Sequence, residues 1–262
     1  MNSPAQTTIA APLVIKIGGH EIADPDFLTE LAATVHMLET LVIIVHGGGK
    51  EISDVQRSLG IEPRYVDGLR ITDAQSLAVV QMVLAGLVNK RLVAHLMQAG
   101  VDAVGLTGVD HGIVRARQMP HPAMDMAFTG EVTNVRGEAL RAMLADGLTP
   151  VIAPLCLGDD SRDDHPVIYN VNADHVAGAV GAAVGAAQTV FLTNVSGVMA
   201  NGTTVDRLAA DQANALIADG TIDGGMIPKV RTALDVLARG VPQAVITNLT
   251  GLKTHGGTVF SR

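Results

Sequence analysis

Lys16 stands in the run LVIKI (13–17), where every other residue is apolar, two positions ahead of Gly18-Gly19. A lysine is costly to bury without an anionic partner, so this one either snorkels at a strand edge or turns its ammonium toward a ligand phosphate. Lys229 follows GGMIP (224–228) where a helix begins, and the partial positive charge of a helix N-terminus also attracts anions. Two cations converging on one anion is the arrangement that phosphoryl transfer requires. Asp174, in NVNAD (170–174), is either a simple first-turn helix carboxylate or a pivot that orients both ammonium groups by ion pairing. Arg70, in DGLRITD (67–73), can fork onto a substrate carboxylate or pair at the surface with Asp67 or Asp73. Asn170 and Asn172 offer amide groups to a polar ligand, with Asx capping as the plainer role.

Two glycine-rich turns accompany these residues, IGG (17–19) and GGG (47–49). Without side chains their backbones can approach a ligand closely, and the free N–H groups of the following helix attract anions. Neither turn matches G-x-x-x-x-G-K-[ST] or G-x-G-x-x-G, so each is on its own equally an ordinary tight turn. Their position at the carboxyl ends of consecutive strands matters more, because open α/β sheets bind ligands there. His46, just before the triple glycine, is a turn residue or a ligand contact. Cys156 follows an apolar run and reads as packing. The nine histidines include no H-x-x-x-H or H-E-x-x-H pair, which argues against a dedicated transition-metal site.

Positioning these groups requires a regular scaffold, and the sequence supplies one. Short β-branched runs alternate with amphipathic stretches, the pattern of βα units in a sheet covered on both faces. Strands are expected at 13–17, 41–45, 102–106, 150–155, 167–169, 190–193 and 244–247. Helices are expected from the Asp24-Pro25 start to about 39, from the triple glycine to about 59, over 73–100 as one long or two joined helices, and at 138–145, 177–187, 211–218 and 226–238. The segment 108–136 lacks a helical period and reads as hairpins and loops able to overhang a site. GDDSRDDHP (158–166) reads as a hydrated hairpin tip.

With 262 residues and no linker or low-complexity stretch, one large α/β domain is expected, any division into lobes running through one continuous sheet. The charge balance, 18 − 26 = −8, and 2% aromatic residues argue against a nucleic-acid partner. One cysteine excludes an internal disulfide and points to a reducing, cytoplasmic setting. No consecutive apolar run approaches the ~20 residues of a membrane span, and the first dozen residues lack a secretion signal, so no membrane association is expected.

Taken in order, KIGG (16–19), VHGGG (45–49), DGLRITD (67–73), NVNADHVAGA (170–179) and GGMIPK (224–229) resemble the amino-acid kinase family, over nearly the whole chain from Leu13 to Phe260. The resemblance implies a single domain, a three-layer αβα sandwich with a largely parallel central sheet, with an N-terminal acyl-substrate lobe at about 12–165 and a C-terminal nucleotide lobe at about 166–262. The motifs are most similar to those of members that transfer the ATP γ-phosphoryl group to the side-chain carboxylate of N-acetyl-L-glutamate in arginine synthesis. It implies that Lys16 and Lys229 stabilise the transferring group and that Asp174 holds both lysines. Gly18, Gly19, Gly47 and Gly48 would present N–H groups, and Arg70 and Asn170 would bind the acyl substrate. ATP would lie against Asn194, Val195, Ser196, Gly197, Val198 and Met199, and against the Thr221, Ile222, Asp223 loop, with Mg²⁺ carried mainly by its phosphates. Such a transfer is chiefly alignment and charge neutralisation, since the carboxylate is already ionised and needs no base.

The family usually has Asp where Asn194 stands, and His20 and Lys50 are also unusual; both would add positive charge near the acyl site. The short segment before Lys16 is unlike the extra N-terminal helix of arginine-inhibited hexameric relatives, so a homodimer without strong arginine inhibition is expected. Two alternatives stay open: a kinase of carrier-protein-linked aminoadipate or glutamate in lysine synthesis, and a non-catalytic nucleotide- or metabolite-binding regulator.

Overall fold

A computed structural model describes residues 10–18, 21–162, 165–200 and 202–262. The chain begins with β1 (Leu13–Ile17), α1 (Pro25–Met37), β2 (Val42–His46) and α2 (Gly49–Ser58). A small hairpin, β3 (Arg64–Val66) and β4 (Leu69–Ile71), leads into α3 (Ala74–Gln81), a π-helical turn at Met82–Val88, and α4 (Asn89–Gln98). Then come β5 (Ala103–Thr107), β6 (Val114–Gln118), β7 (Thr129–Val135), α5 (Gly137–Ala145), β8 (Thr149–Ala153), β9 (Leu155–Arg162) and β10 (His165–Val171). The second half runs α6 (Ala173–Val184), β11 (Gln188–Leu192), β12 (Met199–Ala200), β13 (Thr203–Thr204), β14 (Arg207–Ala209), α7 (Ala210–Ala218) and α8 (Met226–Ala238). It ends with β15 (Gln243–Thr247), α9 (Leu249–Thr254) and β16 (Thr258–Ser261).

Eight strands form the central sheet in the order β14-β16-β15-β11-β1-β2-β8-β5, parallel throughout except where β15 meets β16. Strand β1 lies between the halves. The strands that follow it in the first half, β2, β8 and β5, extend to one side, and β11, β15, β16 and β14 extend to the other. This reversal is a topological switch point, and it leaves a crevice at the carboxyl end of β1. One face of the sheet packs Val14, Ile43, Val45, Phe191 and Ile246 against α5, α6 and α8. The other packs Ile15, Ile17, Ile44, Val190 and Val245 against α1, α3, α4 and α9. The fold is the three-layer αβα sandwich expected from the motifs.

The caps are those the residue types favour. Asp24 accepts from the Asp26 N–H ahead of Pro25 at the first position of α1, and Asn172 accepts from the Asp174 N–H at the start of α6. The expected elements form, with boundaries shifted by a few residues. The expected 150–155 strand is divided between β8 and β9, and the irregular 108–136 segment forms β6 and β7. These two strands close with β9 and β10 into a four-stranded sheet, in which β9 and β10 are antiparallel neighbours around the acidic hairpin. That hairpin is not only hydrated surface, because Asp160 accepts a 2.8 Å hydrogen bond from the Tyr169 hydroxyl.

The membrane expectation needs correction on one point. The continuous helical stretch Ala74–Gln98 is, by length and composition, apolar enough to cross a membrane, with a mean hydropathy of 1.5 over its best window. Counting consecutive apolar residues missed this because Gln81, Gly86 and Asn89 interrupt the run. Val79, Val80, Val83, Leu84, Val88, Leu92 and Leu96 from this stretch are buried in the core, the placement of a core helix.

Candidate active site

Side chains alternate across a strand, so Lys16 falls on the same face of β1 as Val14, the face covered by α6. Asp174 occupies the first turn of α6, and its Oδ1 lies 2.9 Å from Lys16 Nζ, with the two side chains 17% and 29% exposed. The pair stands where two recesses meet. One, of about 230 Å³, is lined by Gly18, Gly47, Gly48, Gly49, Tyr65, Arg70, Thr129 and Asn170. The other, of about 480 Å³, is lined by Asp67, His175, Phe191, Thr193, Lys229, Arg231, Thr232 and Asp235. Lys16, Gly68, Leu69, Asn172 and Asp174 border both. Lys229, in the first turn of α8, reaches the larger recess, but no ion pair joins it to Asp174 among the described residues. Of the three expected residues Lys16 and Asp174 are paired, and all three line the larger recess.

Gly18 is required by Lys16 itself. A Cβ added at Gly18 would stand 2.6 Å from Lys16 Nζ, because the ammonium folds back over this residue toward Asp174. Gly48 is hemmed in from the other side, its hypothetical Cβ meeting Leu84 Cδ2 at 2.8 Å and Val88 Cγ2 at 3.2 Å. The Gly47 N–H does not face a ligand. It donates to the Ile17 carbonyl at 2.7 Å, the tie that joins the two glycine turns. The Gly48 N–H, at the start of α2, has no acceptor among the described residues. Gly19, like His20, lies outside the described residues. Lys50 turns outward to Asp54 at 2.6 Å and adds no charge to the recess.

His46 closes strand β2 and lines neither recess. It is fully buried, and burial is the main cause that lowers its pKa to about 4; nearby Arg91 and Lys90 act in the same direction, and the bond to Gly47 opposes them. The neutral ring has a defined tautomer. Nδ1 donates to the Gly47 carbonyl at 2.9 Å, and Nε2 accepts from Asn89 Nδ2 at 3.0 Å. In a trans peptide C=O and N–H point opposite ways, so holding the Gly47 carbonyl toward the imidazole directs the Gly48 N–H away from it.

Arg70 is buried to 8% exposure, and desolvation, assisted by Arg57 and opposed by Tyr65, lowers its pKa from the ordinary guanidinium value. Its partners are all neutral oxygens: Gln56 Oε1, the Gly49 carbonyl at 2.9 Å, Ser53 Oγ at 2.8 Å and the Tyr65 hydroxyl at 2.6 Å. Neither acid expected as its surface partner is engaged with it. Asp73 caps α3 and approaches Arg64, and Asp67 contacts His121. Asn170 Nδ2 donates to Thr72 Oγ1 at 3.0 Å on the wall of the same recess. Asn172 is the α6 cap. Sequence reasoning missed Gln56, Ser53 and Tyr65, although two signals were present. Tyr65 is the direct cross-strand partner of Arg70, and Gln56 falls four residues after buried Ile52, on the inward stripe of α2.

The residues expected to receive the nucleotide, 194–199 and 221–223, lie outside the lining of both recesses. Val198 and Ile222 are core residues, and their N–H groups are engaged by Thr258 Oγ1 and the Leu216 carbonyl. The N–H groups of Val195 and Thr221 are held by Thr193 and Asp219, and Gly197 is buried. The side chains of Asn194, Ser196, Met199 and Asp223 are exposed, and Asn194 directly follows Thr193 of the larger recess. Cys156 is buried packing, its thiol pKa raised by desolvation.

The order of motifs and the paired Lys16 and Asp174 at the switch point agree with a comparison across families, in which the amino acid kinase family model matches residues 11–248. The chain belongs to the amino acid kinase family. Over 261 residues, 100% of this chain and 98% of the other, it is 50% identical to an acetylglutamate kinase of Roseiflexus sp. (strain RS-1). Among solved structures, smu.665 from Streptococcus mutans UA159 is 29% identical at a TM-score of 0.77, covering 95% of this chain and 98% of that one. An N-acetylglutamate synthase from Neisseria gonorrhoeae, complexed with coenzyme A and N-acetyl-glutamate, is 25% identical at a TM-score of 0.80. It covers 96% of this chain but only 59% of the synthase. The amino acid kinase assignment makes the chain a phosphotransferase, with ATP the co-substrate that the family implies.

Proposed function

We propose that this amino acid kinase transfers the γ-phosphoryl group of ATP to the side-chain carboxylate of N-acetyl-L-glutamate, forming an acyl phosphate for arginine synthesis. The observation that carries the reading is the buried Arg70 guanidinium, on the lining of the smaller recess and paired with no carboxylate among the described residues, beside the Lys16–Asp174 pair. Half identity over the full length to an acetylglutamate kinase supports the same substrate, and nothing favours the carrier-linked or non-catalytic alternatives. The smaller recess would take the acyl substrate, with Arg70 and Asn170 on its carboxylate and amide. The larger would take the phosphates of ATP, and the adenosine would extend toward Asn194, Ser196 and Asp223.

Two anions must then approach each other across Lys16. Its ammonium, held by Asp174 on the boundary of both recesses, offsets their repulsion as charge moves from one to the other, and the Gly48 N–H adds a fixed dipole on the acyl side. Lys229 faces the phosphates from the first turn of α8, where the helix dipole reinforces it. The acceptor carboxylate is ionised at neutral pH, so alignment is the main task of the site. Among the described residues no group of three His, Cys, Asp or Glu could hold a metal. Mg²⁺ would arrive on the nucleotide phosphates and would supply further neutralisation there. A homodimer joined through the exposed Met82 and Leu87 of the Ala74–Gln98 stretch fits the same reading.

The test is MgATP-dependent acyl-phosphate formation, trapped with hydroxylamine, with N-acetyl-L-glutamate, glutamate, aspartate and N-acetyl-α-aminoadipate compared side by side. Turnover selective for acetylglutamate and lost in Lys16→Ala is expected. ATP binding without turnover of any free acid would refute the assignment.

A further inference from the structure

Among the described residues the Arg70 guanidinium of the smaller recess pairs with no carboxylate: it meets only neutral oxygens and the face of the Tyr65 ring, 4.8 Å from its centre. The acids described on the neighbouring elements have other partners, as Asp174 on the same recess has Lys16. Glu51, on the same helix as Gln56, pairs with Arg91 at 2.6 Å; Asp54 pairs with Lys50 and approaches Arg57; Asp73 caps α3 and approaches Arg64. Where an acid would ordinarily compensate a buried arginine, α2 presents Gln56, only 1% exposed. Its orientation is fixed by chemistry, because a guanidinium has only donors: Oε1 must face Arg70, and Nε2 donates to Ser76 Oγ at 2.8 Å. Ser76 is anchored in turn, its N–H donating to the Asp73 cap at 2.8 Å. The chain Asp73, Ser76, Gln56, Arg70 therefore runs from the start of α3, through α2, to the substrate wall.

We propose that Gln56 is a positioning residue that holds Arg70 through a neutral acceptor, so that the full guanidinium charge remains for an anionic carboxylate of the acyl substrate and sets specificity for substrates that carry one. The inference rests on the assignment of the acyl substrate to the smaller recess. A carboxamide and a carboxylate accept from a guanidinium with nearly the same geometry, but only the carboxylate cancels its charge. Gln56→Glu would accordingly keep Arg70 in place while removing the charge that the substrate needs. Gln56→Met would remove the acceptor, keep the charge and preserve the volume.

The experiment measures steady-state kinetics for N-acetyl-L-glutamate and for its α-carboxamide, whose side-chain carboxylate is still free, in the unmodified protein, Gln56→Glu, Gln56→Met and Arg70→Lys. For Gln56→Glu, the KM for acetylglutamate rises by about tenfold or more and the preference for carboxylate over carboxamide falls by a similar factor, since a lost charge-assisted hydrogen bond is worth about 1.5–3 kcal/mol. The KM for MgATP stays within about twofold, and Gln56→Met loses much less of the preference. Equal losses in the Glu and Met variants would mean that packing, not charge, is at stake and would overturn the proposal. So would an unchanged preference in Gln56→Glu while Arg70→Lys is impaired. An Arg70→Lys variant with unaltered KM for acetylglutamate would instead overturn the assignment of the recess itself. Gln56→Met also guards against a folding failure of the buried Glu, because Arg70 must then discriminate with its charge intact.

Discussion

Acidification should loosen the turn that carries Gly48, and His46 makes the effect calculable. In the folded protein its pKa is about 4, against 6.5 for the free side chain. Above pH 6.5 neither folded nor unfolded chain protonates this ring, and its contribution to stability is fully present. As the pH falls from 6.5 toward 4, the unfolded chain takes up a proton that the folded one refuses, so stability drains away across that window. The gap of about 2.5 units, at about 1.4 kcal/mol per unit, sets a ceiling of about 3 kcal/mol. By pH 5 about 2 kcal/mol of it should be gone. The assay is urea unfolding at 25 °C, followed by far-ultraviolet circular dichroism at pH 7.5 and pH 5.0, on the unmodified protein and on His46→Gln. Glutamine loses ring hydrogen bonds and starts less stable by about 1 kcal/mol, but it cannot titrate. The unmodified protein should therefore lose about 2 kcal/mol more than the variant between the two pH values, the carboxylates being common to both. Equal losses would refute the reasoning, because a His46 that titrates alike in both states is not held neutral against Gly47 and Asn89.

Lys16→Ala and Asp174→Asn should each lower kcat by about 100-fold or more, with smaller changes in the KM for MgATP, as expected for charge that acts on the transferring group; hydroxylamine trapping reads both. Gly18→Ala should lower kcat without unfolding the protein, because its Cβ, 2.6 Å from Lys16 Nζ, pushes only the flexible end of that side chain off Asp174; an unchanged kcat would refute it. Gly48→Ala presses on Leu84 and Val88 and should cost about 1–3 kcal/mol of stability in a denaturant titration as well as activity. Iodoacetamide should leave Cys156 unmodified in the native protein at neutral pH, since the thiol is buried and desolvation raises its pKa; mass spectrometry of native and urea-treated protein decides this.

How much of this was legible in the sequence depends on whether a residue's role is local. Lys16 announced itself, because a lone ammonium inside an apolar strand demands an explanation, and the alternation of the strand already assigned it a face. The Asp24 and Asn172 caps were equally local. Arg70 was visible as a candidate but most of its surroundings were not, because Ser53 and Gln56 become its neighbours only when α2 packs on the β3–β4 hairpin that already pairs Arg70 with Tyr65. The same limit explains the closed four-stranded sheet. Its parallel β6–β9 and β7–β10 contacts join segments about 40 residues apart with no turn to fix their register. Val198 and Ile222 were assigned to the nucleotide by motif position, while their burial is decided by packing from α7, α8 and β16 that no motif encodes. Gly47 shows the limit at its finest grain, for the spacing of the glycines is evident but not which N–H is already spent on Ile17.

Net charge alone would make this protein an unpromising host for two polyanions, at −8 over the chain. The fold resolves the conflict by position. Strand β1 touches both β2, from the first half of the chain, and β11, from the second, so an ammonium at its end borders both recesses at once. Arg70 lies on one side of it, and Lys229 with Arg231 on the other. Asp174 belongs to the cleft but its charge is turned onto Lys16, Asp67 points toward His121, and Asp235 on the larger recess pairs with Arg239 at 2.9 Å. Local charge, not the total, governs what an enclosed site attracts, because field lines concentrate between low-dielectric walls. A cation shared by two recesses, with further cations assigned to each, favours two anions only when both are present and close together. That is the charge distribution expected of a surface selected to join a nucleotide phosphate to a carboxylate, and it depends on a single strand standing where the chain reverses its direction of growth.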